Sequence, residues 1–311
     1  MQKQTFVAII LIGFIGAMFV HKQNIKRRSS VISVYVHGTL FNWRNLFASI
    51  PGAAELTYVP DGLTPVSDLD EKAVARCLAQ DFCSRDKRRF VYDNFYAFGW
   101  SGKLSFEERE KSAKFLSQEL VKLAHEHEER YGIQPIIRLV SFSHGGNVAL
   151  NLAQFLPKDI QVELVLIACP VQPETENFVL ADCFTKIYVI SSLNDFAQVA
   201  DPLNIYRNLK RGDAKKQVLS QRFFNHNVDK LKQACVSVNG TYLGHLELFQ
   251  LFNKHIPAVL NRLDALTDIK GSTKFYFDVE DKYFPFLNGV NVIDVLKGRV
   301  KDLDEGLLDD E

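Results

Sequence analysis

The 311-residue chain balances 37 Lys and Arg against 37 Asp and Glu, so it lacks the basic surplus expected of a nucleic-acid-binding protein. Hydrophobic residues make up 47% of it, an ordinary globular share that supports one large α/β domain with extensions or two small domains. The cysteines Cys77, Cys83, Cys169, Cys183 and Cys235 are odd in number and show no CxxC or Cys/His spacing, which argues against a disulfide framework and against a metal site. Only Cys77 and Cys83 lie close enough in sequence to suggest a bridge.

Residues 6–20, FVAIILIGFIGAMFV, carry no charge and no proline. The run is slightly shorter than the roughly 20 residues a bilayer core requires, and Thr5 and His21 extend it at the interfaces. Residues 1–21 are read as an uncleaved anchor rather than a cleaved secretory signal, because Gly16-Ala17-Met18 matches a small-x-small cleavage site poorly. Lys22, Lys26, Arg27 and Arg28 mark a basic linker, residues 22–30, and the positive-inside rule then places the following domain on the cytoplasmic side. The alternative, a cleaved signal, would export it.

The main domain is expected over residues 31–266. Residues 31–36, VISVYV, read as a buried strand ending in the turn His37-Gly38-Thr39. Residues 40–88 are broken by Pro51, Pro60, Gly62 and Pro65, with a helix expected over 68–80. An aromatic strand follows over 89–98. Residues 105–130 read as a long amphipathic helix, with Ser105 as its cap and Glu108 as the capping-box partner. Residues 135–142 predict a strand, 145–155 a helix, 161–168, 186–192 and 233–239 strands, and 246–266 a helix. Such alternation implies a parallel sheet covered by helices on both faces, an α/β fold. Residues 267–311 read as an extension with an aromatic patch (Phe275, Tyr276, Phe277, Tyr283, Phe284, Phe286) and an acidic end, set to pack on the domain or to meet a partner.

The chemistry concentrates in Ser141-Phe142-Ser143-His144-Gly145-Gly146, between a buried strand and a helix. A sharp turn there would project Ser143 from the carboxyl end of the sheet and aim the N-terminus of the next helix at it. A serine hydroxyl needs a base, and the base needs a carboxylate to hold its tautomer. His245 follows the last strand and a turn; Asp195 follows the strand 186–192 directly, with Asp201 as the runner-up acid. A serine capping a helix, a histidine bonded to backbone and an aspartate N-cap are the plain structural readings of the same three residues.

The order Ser143, Asp195, His245 and the segment Ser143-His144-Gly145-Gly146 resemble an α/β-hydrolase of the lipase/esterase kind, over residues 31–265. Ser141-Phe142 departs from the usual Gly-His before the nucleophile and puts a Cβ and a hydroxyl where glycine is usual. The resemblance implies the α/β-hydrolase fold, a Ser143–His245–Asp195 triad, and an oxyanion loop around His37-Gly38. It implies oxyanion donors among the backbone N–H groups of Thr39, Leu40 and His144, and it requires no cofactor or metal. The aromatic run from Phe95 to Trp100 would line a substrate pocket or simply form core. Carboxylic-ester hydrolysis is the expected activity, with an acyl-ester or lipid-like substrate suited to an anchored enzyme. The alternatives are a non-catalytic binding module at a membrane, and a thioesterase, amidase or acyltransferase using the same triad.

Overall fold

The computed structural model describes residues 31–39, 58–200, 220–266 and 274–284. The apolar segment 6–20, the basic linker, Leu40, Asp201 and the acidic end lie outside these residues. Among the described residues no helix is long and apolar enough to cross a membrane.

Nine strands form one sheet: β1 (Val31–Val36), β2 (Gly62–Pro65), β3 (Phe95–Gly99), β4 (Ile136–Phe142), β5 (Val162–Ile167), β6 (Phe184–Ser191), β7 (Leu231–Val238), β8 (Thr241–Tyr242) and β9 (Lys274–Val279). Their spatial order is β2-β3-β1-β4-β5-β6-β7, with β9 on β7 and the short β8 paired to the end of β7. All pairings are parallel except those of β2 and β8. Among the described residues the helices are α1 (Val74–Arg85), α2 (Phe106–Tyr131), α3 (Gly145–Asn151), the single turn α4 (Phe196–Val199) and α5 (Ile256–Ala265).

The central strands are buried along their whole length because helices cover both faces, which is why they read as continuous apolar runs. Side chains alternate across β1. Ile32, Val34 and Val36 join Leu116, Leu120, Leu139 and Val148 beneath α2 and α3. Tyr35 joins Phe82, Phe142, Phe249 and Leu260 beneath α1 and α5. Helix α2 starts where its cap predicts: Ser105 Oγ accepts the Glu108 N–H at 3.3 Å. The Glu108 carboxylate accepts instead from Ser101 Oγ at 3.0 Å.

Three elements differ from the sequence expectation. Helix α1 begins at Val74, not at 68, because Asp70 first makes a turn: its carboxylate accepts the Lys72 N–H at 2.8 Å and its carbonyl the Ala73 N–H at 2.9 Å. The strand expected over 89–98 shrinks to Phe95–Gly99 because Tyr92–Asn94 form a 3-10 turn. The helix expected over 246–266 is irregular at first, with a π turn at Glu247–Leu251 and a 3-10 turn at Asn253–His255. Pro257 has no N–H to continue a helix, so α5 restarts at Ile256 with the proline in its first turn. In the C-terminal extension, residues 274–279 form the ninth strand, with Cys235 opposite Tyr276 and Val238 opposite Val279.

The connection after β1 runs toward β2 and β3; the one after β4 runs the other way, toward β5. Where two neighbouring strands send their chains apart, a crevice opens at their carboxyl ends, the usual ligand position in α/β sheets. Here the two strands are β1, which leads into His37-Gly38, and β4, which leads into Ser143.

Candidate active site

Ser143 leaves β4 with φ of 51°, a left-handed conformation that costs a non-glycine residue about 1–3 kcal/mol. Two backbone bonds hold it there: its N–H donates to Ile167 O and its carbonyl accepts the Gly146 N–H, both at 2.9 Å. The turn is pressed against the end of β1. A Cβ on Gly145 would strike the carbonyls of Val36 and His37, and one on Gly38 would come within 3.0 Å of Ser143 Cβ. These glycines permit the turn after β1 and the turn at Ser143 to meet. Ser141, the departure noted above, is accommodated because its wholly buried hydroxyl donates to Val165 O at 3.3 Å.

Asp195 and His245 stand beyond β6 and β8. His245 Nδ1 lies 2.9 and 2.8 Å from the two carboxylate oxygens of Asp195. A carboxylate only accepts, so Nδ1 carries the proton and Nε2 presents its lone pair. Asp195 is fully buried, while the His245 side chain stays 19% exposed. Asp195 Oδ1 also accepts the Gln198 N–H at 2.9 Å, so the residue caps α4 and holds the histidine at once. The imidazole rests on the Phe142 ring, centroid to centroid 4.6 Å, and Phe142 leans on Phe249 at 4.3 Å. The structure thus brings Asp195 and His245 into direct contact, with the imidazole seated on the residue that precedes Ser143. Among the described residues no hydrogen bond joins Ser143 to His245.

His37 is wholly buried in the turn after β1. Its Nε2 accepts the Trp100 N–H at 3.2 Å, which leaves Nδ1 to donate to Gly38 O at 2.8 Å. Burial pushes its pKa down to about 4, so the ring is neutral at ordinary pH. Trp100 stacks on it at 5.5 Å and donates through Nε1 to His37 O at 2.9 Å. Thr39 follows at the crevice, and Leu40 lies beyond the described residues. His144 starts α3, and its Nδ1 accepts from Arg109 Nη1 at 2.7 Å. Burial first, then the nearby Arg109 and His245 charges, holds the His144 pKa well below the ordinary histidine range.

Sequence reasoning missed the residues that tie these parts together. Ser192 Oγ donates to Val236 O at 2.8 Å and accepts the Leu243 N–H at 2.7 Å. Asn194 Nδ2 donates to Tyr242 O at 3.0 Å, a second link between the acid loop and the histidine loop. Gln198 Nε2 reaches Cys169 O at 2.8 Å and Ser191 Oγ at 3.0 Å. Arg109 sits in a helix whose charged face predicts solvent exposure, yet it is buried against His144. Most of these partners lie tens of residues away, so no local pattern announces them. Of the aromatic run after residue 94, Phe95 and Phe98 are core and Trp100 supports the turn after β1.

Among the described residues no disulfide forms, and no cluster of His, Cys, Asp and Glu has metal-binding geometry. Comparison of the sequence with protein-family models and with characterised proteins gives no match.

Proposed function

We propose that the protein is a serine hydrolase of the α/β-hydrolase type that cleaves carboxylic esters through an acyl-enzyme. The observation that carries this reading is the contact of the buried Asp195, beyond β6, with the partly exposed His245, beyond β8, together with Ser143 held at φ of 51° at the end of β4. A structural N-cap needs no histidine partner.

In this mechanism Ser143 Oγ attacks the ester carbonyl while His245 Nε2 takes its proton. Asp195 stabilises the imidazolium and keeps the ring oriented. The carbonyl oxygen becomes an oxyanion facing the backbone of His144 and the loop His37-Gly38-Thr39, where one well-placed N–H donor contributes about 3–4 kcal/mol in the transition state. His245 then protonates the departing alkoxide, and the C–O bond breaks to leave acyl-Ser143. A water molecule, deprotonated by the same histidine, releases the acid. A tether through residues 6–20 would hold the enzyme beside lipid-like esters at a membrane.

Labelling of the full-length chain by a fluorophosphonate tests the reading without knowledge of the substrate. Label on Ser143, absent in Ser143→Ala and reduced by orders of magnitude in His245→Ala, is the expected result. A folded protein that takes no label at Ser143 would overturn it.

A further inference from the structure

We propose that Arg222 is a positioning residue for the acid of the triad, a role that rests on the hydrolase reading above. Three hydrogen bonds from its guanidinium converge on the four-residue loop that carries Asp195. Nε donates to Ser192 O at 3.1 Å, and Nη2 donates to Leu193 O at 2.8 Å and to Asp195 O at 3.0 Å. Three carbonyls turned toward one point repel each other unless a cation sits among them, and a planar guanidinium supplies several donors in fixed directions. Among the described residues Arg222 forms no ion pair with a carboxylate, so its charge is committed to this loop.

The anchor's own backbone is held from three sides, by the residues that flank the loop and by Val171. Ser220 N–H donates to Val199 O at 2.9 Å, Val171 N–H donates to Gln221 O at 2.9 Å, and Ser191 Oγ donates to Arg222 O at 3.2 Å. The loop it holds is the one that Ser192 and Asn194 join to the histidine-bearing segment. Displacing it by a fraction of an ångström therefore moves Asp195 against His245 Nδ1, without touching Ser143. Arg222 contacts no reacting atom; its effect passes through the Asp195 carboxylate.

The test uses the full-length chain with Arg222→Ala and Arg222→Lys. Arg222→Ala should label with fluorophosphonate about 10–100-fold more slowly than wild type, the size of effect a misplacement near 1 Å produces. Lysine, a single point charge, should restore only a small part of the rate. Guanidinium ion at tens of millimolar should raise the Arg222→Ala rate saturably and leave the wild-type rate unchanged, which a general packing defect would not show. The second readout is the downfield proton resonance of His245 Nδ1–H in histidine-labelled protein, expected to weaken or shift in Arg222→Ala. A variant with wild-type labelling rate and an unchanged imidazole resonance overturns the proposal. Where Arg222→Ala does not fold, the same comparison is made on Arg222→Lys, and wild-type behaviour there overturns it as well. Absence of label on the wild-type chain would sink the hydrolase reading alone. The imidazole resonance would then still decide whether Arg222 positions Asp195: change on substitution supports it, persistence overturns it.

Discussion

At Ser143 a strained backbone and a close approach of two loops coincide with the hydroxyl proposed as nucleophile. The strain is held by backbone bonds to Ile167 and Gly146, and the approach by the missing side chains of Gly38 and Gly145. Gly145→Ala sets a methyl group against two carbonyls of β1, so it should lower the labelling rate at least about 100-fold or leave the chain unfolded, since a 1 Å misplacement already costs that much. Thermal melting and fluorophosphonate labelling of that variant, read together, check this. Asp195→Asn keeps the shape but offers a neutral amide to His245, and the resulting wrong tautomer should reduce kcat about 10⁴-fold on any ester found to be turned over. Steady-state kinetics on the variant measures it. Ser141 was the one misfit in the elbow motif, and its bond to Val165 explains how a hydroxyl lives where glycine is usual.

Among the elements, β9 changes what the C-terminal extension is. It contributes Phe275, Phe277 and Val279 to the core face and pairs with six residues of β7. Its own carboxylates then grip the turn that precedes the histidine loop: Asp278 accepts from Ser237 Oγ at 2.6 Å and from the Gly240 N–H at 2.9 Å. Asp281 exchanges two backbone bonds with the Asn239 side chain and accepts from Lys254 and His255 at 2.9 Å. The segments before and after His245 are thus both tied to the extension. Deleting residues 267–311 removes the buried Phe284 and three half-buried apolar side chains and should lower stability by a few kcal/mol, since a fully buried apolar side chain contributes about 1.5–3 kcal/mol and a half-buried one a part of that. It should also cut labelling of Ser143. Urea unfolding and labelling of the truncated chain test both halves. Full activity in a stable truncated protein would show that the clasp is dispensable.

For the whole molecule, the buried histidines set a pH response. In the unfolded chain His37 takes up a proton below about pH 6.5, whereas the folded protein resists it down to about 4. The stability this group lends is complete above pH 6.5 and is lost as the pH falls through the interval to about 4. The loss is limited to about 3 kcal/mol by linkage. His144, also held neutral by burial, acts in the same direction. The urea midpoint should therefore fall between pH 6.5 and 4, and fall less in His37→Gln, which has no proton to gain. Equal slopes in the two proteins would remove His37 as the cause. Residues 6–20 add a prediction at this scale: the full chain should stay with membranes through an alkaline carbonate wash, and the chain lacking residues 1–30 should not. Recovery of the full chain in the wash supernatant would contradict the anchor.

The central strands, the long capped helix and the elbow at Ser143 were legible in the amino-acid order because their signals are local. Buried parallel strands are apolar throughout, α2 carries its own cap, and Ser143 is flanked by residues that a tight turn demands. Asp195 and His245 were legible as residues at strand ends, since the alternation of strands and helices already sends those ends to one edge. Contact between them was not, because it depends on how the loops after β6 and β7 fold against each other. The ninth strand was read only as an aromatic patch, because its pairing with β7 crosses more than 30 residues of intervening chain. Arg109, Ser192, Asn194 and Arg222 carry no local mark for the same reason. Their bonds run to backbone and side chains that only the assembled sheet brings within reach, so the tertiary structure alone decided which polar side chains support the site and which merely face water.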